Sequence, residues 1–235
     1  MGGRMVLGWV VAALTLPHPE RSEGAARPVF DDRVAGPSIA SLPRDEARVG
    51  DWARLALEIH DETNLVRRDP VAYAAHLEAL LPRFDGKLLE RPGRILLRTE
   101  EGADAVREAI EALQLRRPVP ELQWSKGLAA AAADHVADQG PIGGLEHQGS
   151  DGSDPARRAE RRGRWLGAMG ENIAYGENPA REVVMQLLID DGVSDRGHRN
   201  GILDPQWAVE GVACGPHRDY RQICVMDFAG GYVER

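Results

Sequence analysis

Apolar positions recur at helical spacing from Asp51 onward, where Trp52, Leu55, Ile59 and Val66 predict a first helix and the start of order. Asp69-Pro70 follows as an N-cap with proline at the first helical position. It predicts a helix to about Leu81, ended by Pro82 and Asp85-Gly86. The segment Lys87 to Arg98 is basic and partly apolar, and its pattern fits no single element. Residues 103–115 predict a helix with Ala105, Ile110 and Leu113 inward, after which Pro118 and Pro120 interrupt. Ser125 reads as the N-cap of the Leu128 to Val136 stretch, with Gly140-Pro141 as its stop.

The polar, glycine-rich run Gly143 to Asp154 puts His147 at a helix exit or in a loop. Pro155 opens a short basic helix that ends near Gly163. Asn178-Pro179 caps another, with Val183, Val184, Leu187 and Leu188 as its apolar face and Asp190-Asp191-Gly192 at its end. Val209 to Cys214 and Ile223 to Phe228 read as a strand pair around Gly215-Pro216 and Asp219. Helices followed by a small antiparallel sheet predict an α+β fold, an α-β-α sandwich in a single domain over 50–235.

The N-terminus has Arg4 followed by an apolar run from Met5 to Leu16, broken at Pro17. It is short for a bilayer crossing, which needs about twenty residues, and suits a secretory leader. The expectation is a signal peptide over 1–26, with Ala25-Ala26 as the nearest cleavage candidate, then a disordered linker over 27–49. An uncleaved anchor is the second reading and a cytosolic extension the third. The two cysteines, Cys214 and Cys224, fall on neighbouring predicted strands, where a disulfide can form; two buried free thiols are the alternative. Leader and cysteine pair together favour export, making the protein secreted, periplasmic or envelope-associated.

A net charge of −8 argues against nucleic acid as a partner. The arginines at 157, 158, 161, 162 and 164 read as the solvated face of a short helix. Taken singly, the chemically capable residues are bland. Asp190 and Asp191 sit at a helix C-terminus, where carboxylates are disfavoured by about 0.3–1 kcal/mol, and read as hydrated. Glu171, beside Gly170, reads as a solvent-facing turn residue, and His198 as structural. His60 and His76 pack in helices or face solvent, and His217, between the strands, is expected to be exposed.

The order of these residues changes that picture. His147-Gln148-Gly149-Ser150-Asp151-Gly152 comes first, then Gly170-Glu171-Asn172-Ile173, then Gly197-His198-Arg199 with Ile202-Leu203-Asp204-Pro205. This ordered set resembles the CAP superfamily, the SCP or PR-1-like proteins that include cysteine-rich secretory proteins, antigen 5 and plant pathogenesis-related proteins, and its bacterial branch in particular. The resemblance covers about residues 50–232 and takes in Asn64, Arg67 and Leu122-Gln123-Trp124-Ser125. It makes the stretch near 84–117 an insertion.

The resemblance implies a cleft with two histidines, His147 and His198, and two acids, Glu171 and Asp190. Leu187 stands where the family usually has tryptophan, and Asp191 is the second acid if the register shifts by one. Two neutral imidazoles would give a divalent cation such as zinc two ligands and leave positions open for water or substrate, while Glu171 and Asp190 orient the rings. Without metal, the four groups brace the cleft.

The preferred reading is an exported CAP module that binds a ligand, namely a lipid, a cell-envelope component or a protein. It would meet a membrane only through an uncleaved leader. A hydrolase is the alternative, with Glu171 or His198 as catalytic candidates, or Ser150 or Ser194 as nucleophile with His198 as base. Neither a Gly-x-Ser-x-Gly elbow nor a His-Glu-x-x-His helix is present to support it. A purely structural or interaction protein is the third reading.

Overall fold

The computed structural model describes residues 11–16 and 46–235. The proposed cleavage point at Ala25-Ala26 and all but the last residues of the expected linker lie outside the described residues. So does the first half of the apolar leader run.

The described chain runs through β1 (Val11–Leu16), α1 (Glu46–Arg68), α2 (Pro70–Glu78), a 3-10 turn (Leu81–Arg83), and the two-residue strands β2 (Phe84–Asp85), β3 (Leu88–Leu89) and β4 (Leu97–Arg98). It continues through α3 (Ala103–Leu115), β5 (Gln123–Trp124), α4 (Lys126–Ile142), α5 (Pro155–Arg162) and β6 (Gly163–Tyr175). It closes with α6 (Ala180–Ile189), α7 (Gly197–Ile202), β7 (Val209–His217) and β8 (Arg221–Glu234). Local chemistry sets many of these boundaries. The Asp69 side chain accepts from the Ala72 N–H, Ser125 from Leu128 and Asp154 from Arg157, each closing the exposed first turn of its helix. Gly143, in the left-handed region, ends α4.

The fold is α+β. Its main sheet has the order β1-β6-β8-β7-β5, antiparallel throughout except for the parallel β5–β7 pair. Helices α4 and α5 cover one face, and α1, α6 and α7 the other. Gly211 allows one of these contacts to be close: a Cβ there would lie 2.1 Å from the Ala129 amide nitrogen, so α4 packs directly on the β7 backbone. The larger core joins α1, α2, α3 and α6 to the even-numbered side chains of β8, among them Cys224, Met226 and Phe228. A smaller cluster on the other face holds Ile173, Tyr175, Ile223 and Val225 against Ala132 and Val136 of α4.

Arg67, at the end of α1, is buried. Its guanidinium donates to the carbonyls of Pro120, Ile202, Asp204 and Trp207, tying α1 to the segment that leads into β7. A disulfide between Cys214 and Cys224 spans the β7–β8 pair, where the two residues are in register.

Four expectations are corrected. The first helix begins at Glu46, inside the stretch expected as linker. The segment Lys87 to Arg98 contributes to a small β2-β3-β4 sheet. The 13-residue strand β6 fills a region read as turn; its second half is buried on both faces, so it lacks the alternation that marks a half-exposed strand. His217 is buried, not exposed. Its Nε2–H donates to the Gly144 carbonyl, and its Nδ1 accepts from the Asp219 and Tyr220 amides. No helix among the described residues is long and apolar enough to cross a membrane.

Candidate functional site

Side chains alternate along a strand, so Glu171 and Asn172 leave β6 on opposite faces. Glu171 points toward α4 and α5 and is 1% exposed. The His147 Nδ1–H donates to its Oε1 at 2.7 Å, and Arg158 of α5 donates to its Oε2 at 2.5 Å. Arg158 also donates to the carbonyls of His147 and Ser153, fixing the loop that carries the histidine. Burial pushes the Glu171 carboxyl up, but the His147 hydrogen bond and the Arg158 charge outweigh it and leave it below its ordinary value.

Asp227 of β8 is opposite Glu171 in the ladder and fully buried. Among the described residues its carboxyl has Glu171 as its hydrogen-bond partner, and no donor from the backbone or another side chain reaches it. Burial, reinforced by the Glu171 charge, holds its carboxyl well above the ordinary value. His135 of α4 joins this group: one ring nitrogen bonds the Glu146 carbonyl, and burial lowers its pKa.

On the other face, Asp190 and His198 form a second pair. Asp190 ends α6 in the left-handed region at φ 56°, a conformation aspartate tolerates better than most residues. This turn aims its carboxylate at the N-terminus of α7. Oδ1 accepts from the His198 Nδ1–H at 2.5 Å, while Oδ2 accepts from the His198 amide at 2.9 Å and the Arg199 amide at 3.4 Å. A carboxylate disfavoured at the end of one helix thus sits at the favourable end of the next. Asn172 donates to the His198 carbonyl at 3.1 Å, linking the pair to β6.

Several single-residue readings change here. Asp190 and Asp191 are both buried rather than hydrated. Asp191 accepts from the Glu100 and Glu101 amides and so holds the 84–117 segment, leaving Asp190 as the acid on His198. Glu171 lies in a strand, away from solvent. Arg158, read as part of a solvated face, is 2% exposed. The other arginines of that cluster keep to the surface, with Arg161 on Asp151 and Arg162 on Asp134.

Arg158 and Asp227 were not singled out by sequence reasoning. A lone acid inside the apolar run Ile223 to Phe228 was the available signal for Asp227. His60, expected to pack or face solvent, makes a third histidine–carboxylate pair. Its Nδ1 lies 2.6 Å from Oε2 of the fully buried Glu210, and Asn64 bonds its other nitrogen.

The family model described as "CAP: Cysteine-rich secretory protein family" matches residues 97–228, more than half of the chain. The chain belongs to the CAP family. Among solved structures, it is similar to an extracellular protein containing an SCP domain from Bacillus anthracis str. Ames. That likeness has 24% identity and a TM-score of 0.36, covering 47% of this chain and 34% of the other. It is also similar to an outer surface protein from Borrelia burgdorferi, with 17% identity and a TM-score of 0.41, covering 50% and 80% of the respective chains. The chain thus spans about a third of the first structure's length. No curated protein matches it significantly.

The CAP resemblance implies a divalent ion held by the two histidines, and each ring offers one nitrogen of the type such an ion takes. In each pair Nδ1 is committed to a buried carboxylate, so in the neutral ring Nε2 carries the lone pair. Both Nε2 atoms are buried without a hydrogen-bond partner among the described residues. The structure brings the four residues together two by two, with Glu171 and Asn172 directing the pairs to opposite faces of β6. Among the described residues no group of three or more His, Cys, Asp or Glu side chains is set to hold a metal ion.

Proposed function

We propose that this CAP protein is an exported binding module whose His147 and His198 present Nε2 lone pairs to a divalent cation such as zinc, or to a donor group of a ligand. One observation carries the reading: each imidazole is locked by a buried carboxylate on Nδ1 while its Nε2 is buried and unbonded among the described residues. A carboxylate behind a histidine fixes the tautomer and raises the basicity of the ligating nitrogen. The described protein offers a single imidazole per pair, so water or the bound partner would supply the remaining ligands. The Cys214–Cys224 disulfide supports export to an oxidising compartment.

Elemental analysis of protein purified under zinc-replete conditions tests this. Zinc bound by the wild type and reduced in each of His147→Ala and His198→Ala supports it. Metal-free wild-type protein would leave the two pairs as braces between the sheet and its helices.

Hydrolysis has less support. The Ser150 hydroxyl and amide are both committed to Asp138 rather than to a histidine.

A further inference from the structure

The insertion builds a cavity of about 290 Å³ that the CAP reading does not use. It lies between the loop joining β3 to β4, the turn after α2, and α6. Arg83, Arg91 and Arg94 line it together with Leu80, Leu89 and Met185. Arg94 is already engaged, donating to Glu182 at 2.8 Å and to Asn178 at 3.2 Å. Among the described residues Arg91 makes only a 3.3 Å bond to Asn178, and its Nε is buried with no partner. The Arg83 side chain has no hydrogen-bond or ion-pair partner among the described residues.

A desolvated guanidinium N–H without an acceptor is costly, and burial together with the neighbouring Arg94 charge lowers the Arg91 pKa. Glu182 supplies the nearby counter-charge for Arg91, while Arg83, on the exposed rim, has none of its own among the described residues. The apolar lining at the same place favours a ligand with a hydrocarbon body. At about 290 Å³ the space falls at the lower end of the range of small-molecule pockets, about 300–1,000 Å³. Glu182, also in the lining, disfavours a doubly charged head.

We infer that this cavity is a binding site for a small organic carboxylate. The carboxylate pairs with Arg91 and Arg83 in the forked geometry guanidinium favours, and a compact apolar body lies on Leu80, Leu89 and Met185.

Calorimetric titration of the full chain with octanoate, octan-1-ol, acetate and inorganic phosphate tests the assignment. Octanoate should bind, with the other three much weaker, and Arg91→Gln should weaken it about tenfold. Arg83→Gln, whose side chain supports nothing else, should also weaken it and covers the case in which Arg91→Gln fails to fold. In the wild type, the Met185 methyl resonance should shift on octanoate addition. No octanoate binding would overturn the inference, as would equal binding of octan-1-ol, acetate or phosphate. So would unchanged affinity in folded arginine variants, or a Met185 methyl that does not respond.

Discussion

Glu171 on β6 and Asp227 on β8 stand directly opposite each other in the antiparallel ladder, both buried, and their carboxyls are shifted in opposite directions. Arg158, 2.5 Å from Glu171, favours the charged form of that carboxyl. Asp227, beside the carboxylate that orients His147, is pushed well above its ordinary value by burial and by the Glu171 charge. Two adjacent carboxyls in a low dielectric cannot both ionise cheaply.

Asp227→Asn should therefore fold and change the pH dependence of stability. The wild-type carboxyl, with its folded pKa raised above the ordinary 3.8, keeps a proton that the unfolded chain releases above that pH. Its contribution is fully present below 3.8 and declines as pH rises toward the folded pKa. The neutral amide removes this decline, so the stability of Asp227→Asn relative to wild type should rise between pH 4 and 8. Urea denaturation at several pH values checks this, and a constant difference would contradict it.

Glu171 has the opposite sign. Its folded pKa is depressed, so its contribution is present above the ordinary 4.5 and is lost as pH falls through the folded value. Glu171→Gln leaves the Arg158 charge buried without its counter-ion and should cost about 3–5 kcal/mol at neutral pH. The double variant Glu171→Leu with Arg158→Met should cost less than Glu171→Gln alone, because no buried charge is left unpaired. Chemical denaturation of the three proteins measures the difference.

Asp190→Asn separates stability from ligand chemistry at the other pair. Asparagine tolerates the left-handed backbone, and its carbonyl oxygen still accepts from the His198 amide. Its NH2 group would face His198 Nδ1, favouring the tautomer with the proton on Nε2. Thermal denaturation should show a modest loss, while any zinc bound through His198 should be lost. Full zinc retention would contradict the role given to Asp190.

Reduction of Cys214–Cys224, which encloses a short loop with a sequence separation of 10, should destabilise the protein by about 2–3 kcal/mol. Melting with and without reductant reads this out, with Cys214→Ser as an independent check.

Much of the helical framework was legible because caps are local. Asp69, Ser125 and Asp154 each announce a helix through a side chain that bonds within three residues of itself. Strand β6 was not legible, since Gly163, Gly167 and Gly170 suggest turns and its buried half faces helices on both sides. That gap also hid the environment of Glu171, whose carboxylate is fixed by α5 and the His147 loop. The arginine cluster on α5 shows a similar limit. Composition marks the helix as basic, but only its packing on β6 singles out Arg158 from the solvated arginines. The ordered His147, Glu171 and His198 motifs carried the family assignment, whereas the partition of their side chains between the two faces of β6 depends on tertiary structure.

The central claim is that His147 and His198 each hold a proton on Nδ1 and offer Nε2 to a ligand. Long-range ¹H–¹⁵N correlation spectra of the imidazoles, recorded at pH 8 before and after zinc addition, test it most directly. The account predicts unprotonated Nε2 resonances for both rings that move on zinc addition, while Nδ1 stays protonated. Protonated Nε2 on either ring, or Nε2 resonances that do not respond to zinc, would contradict it.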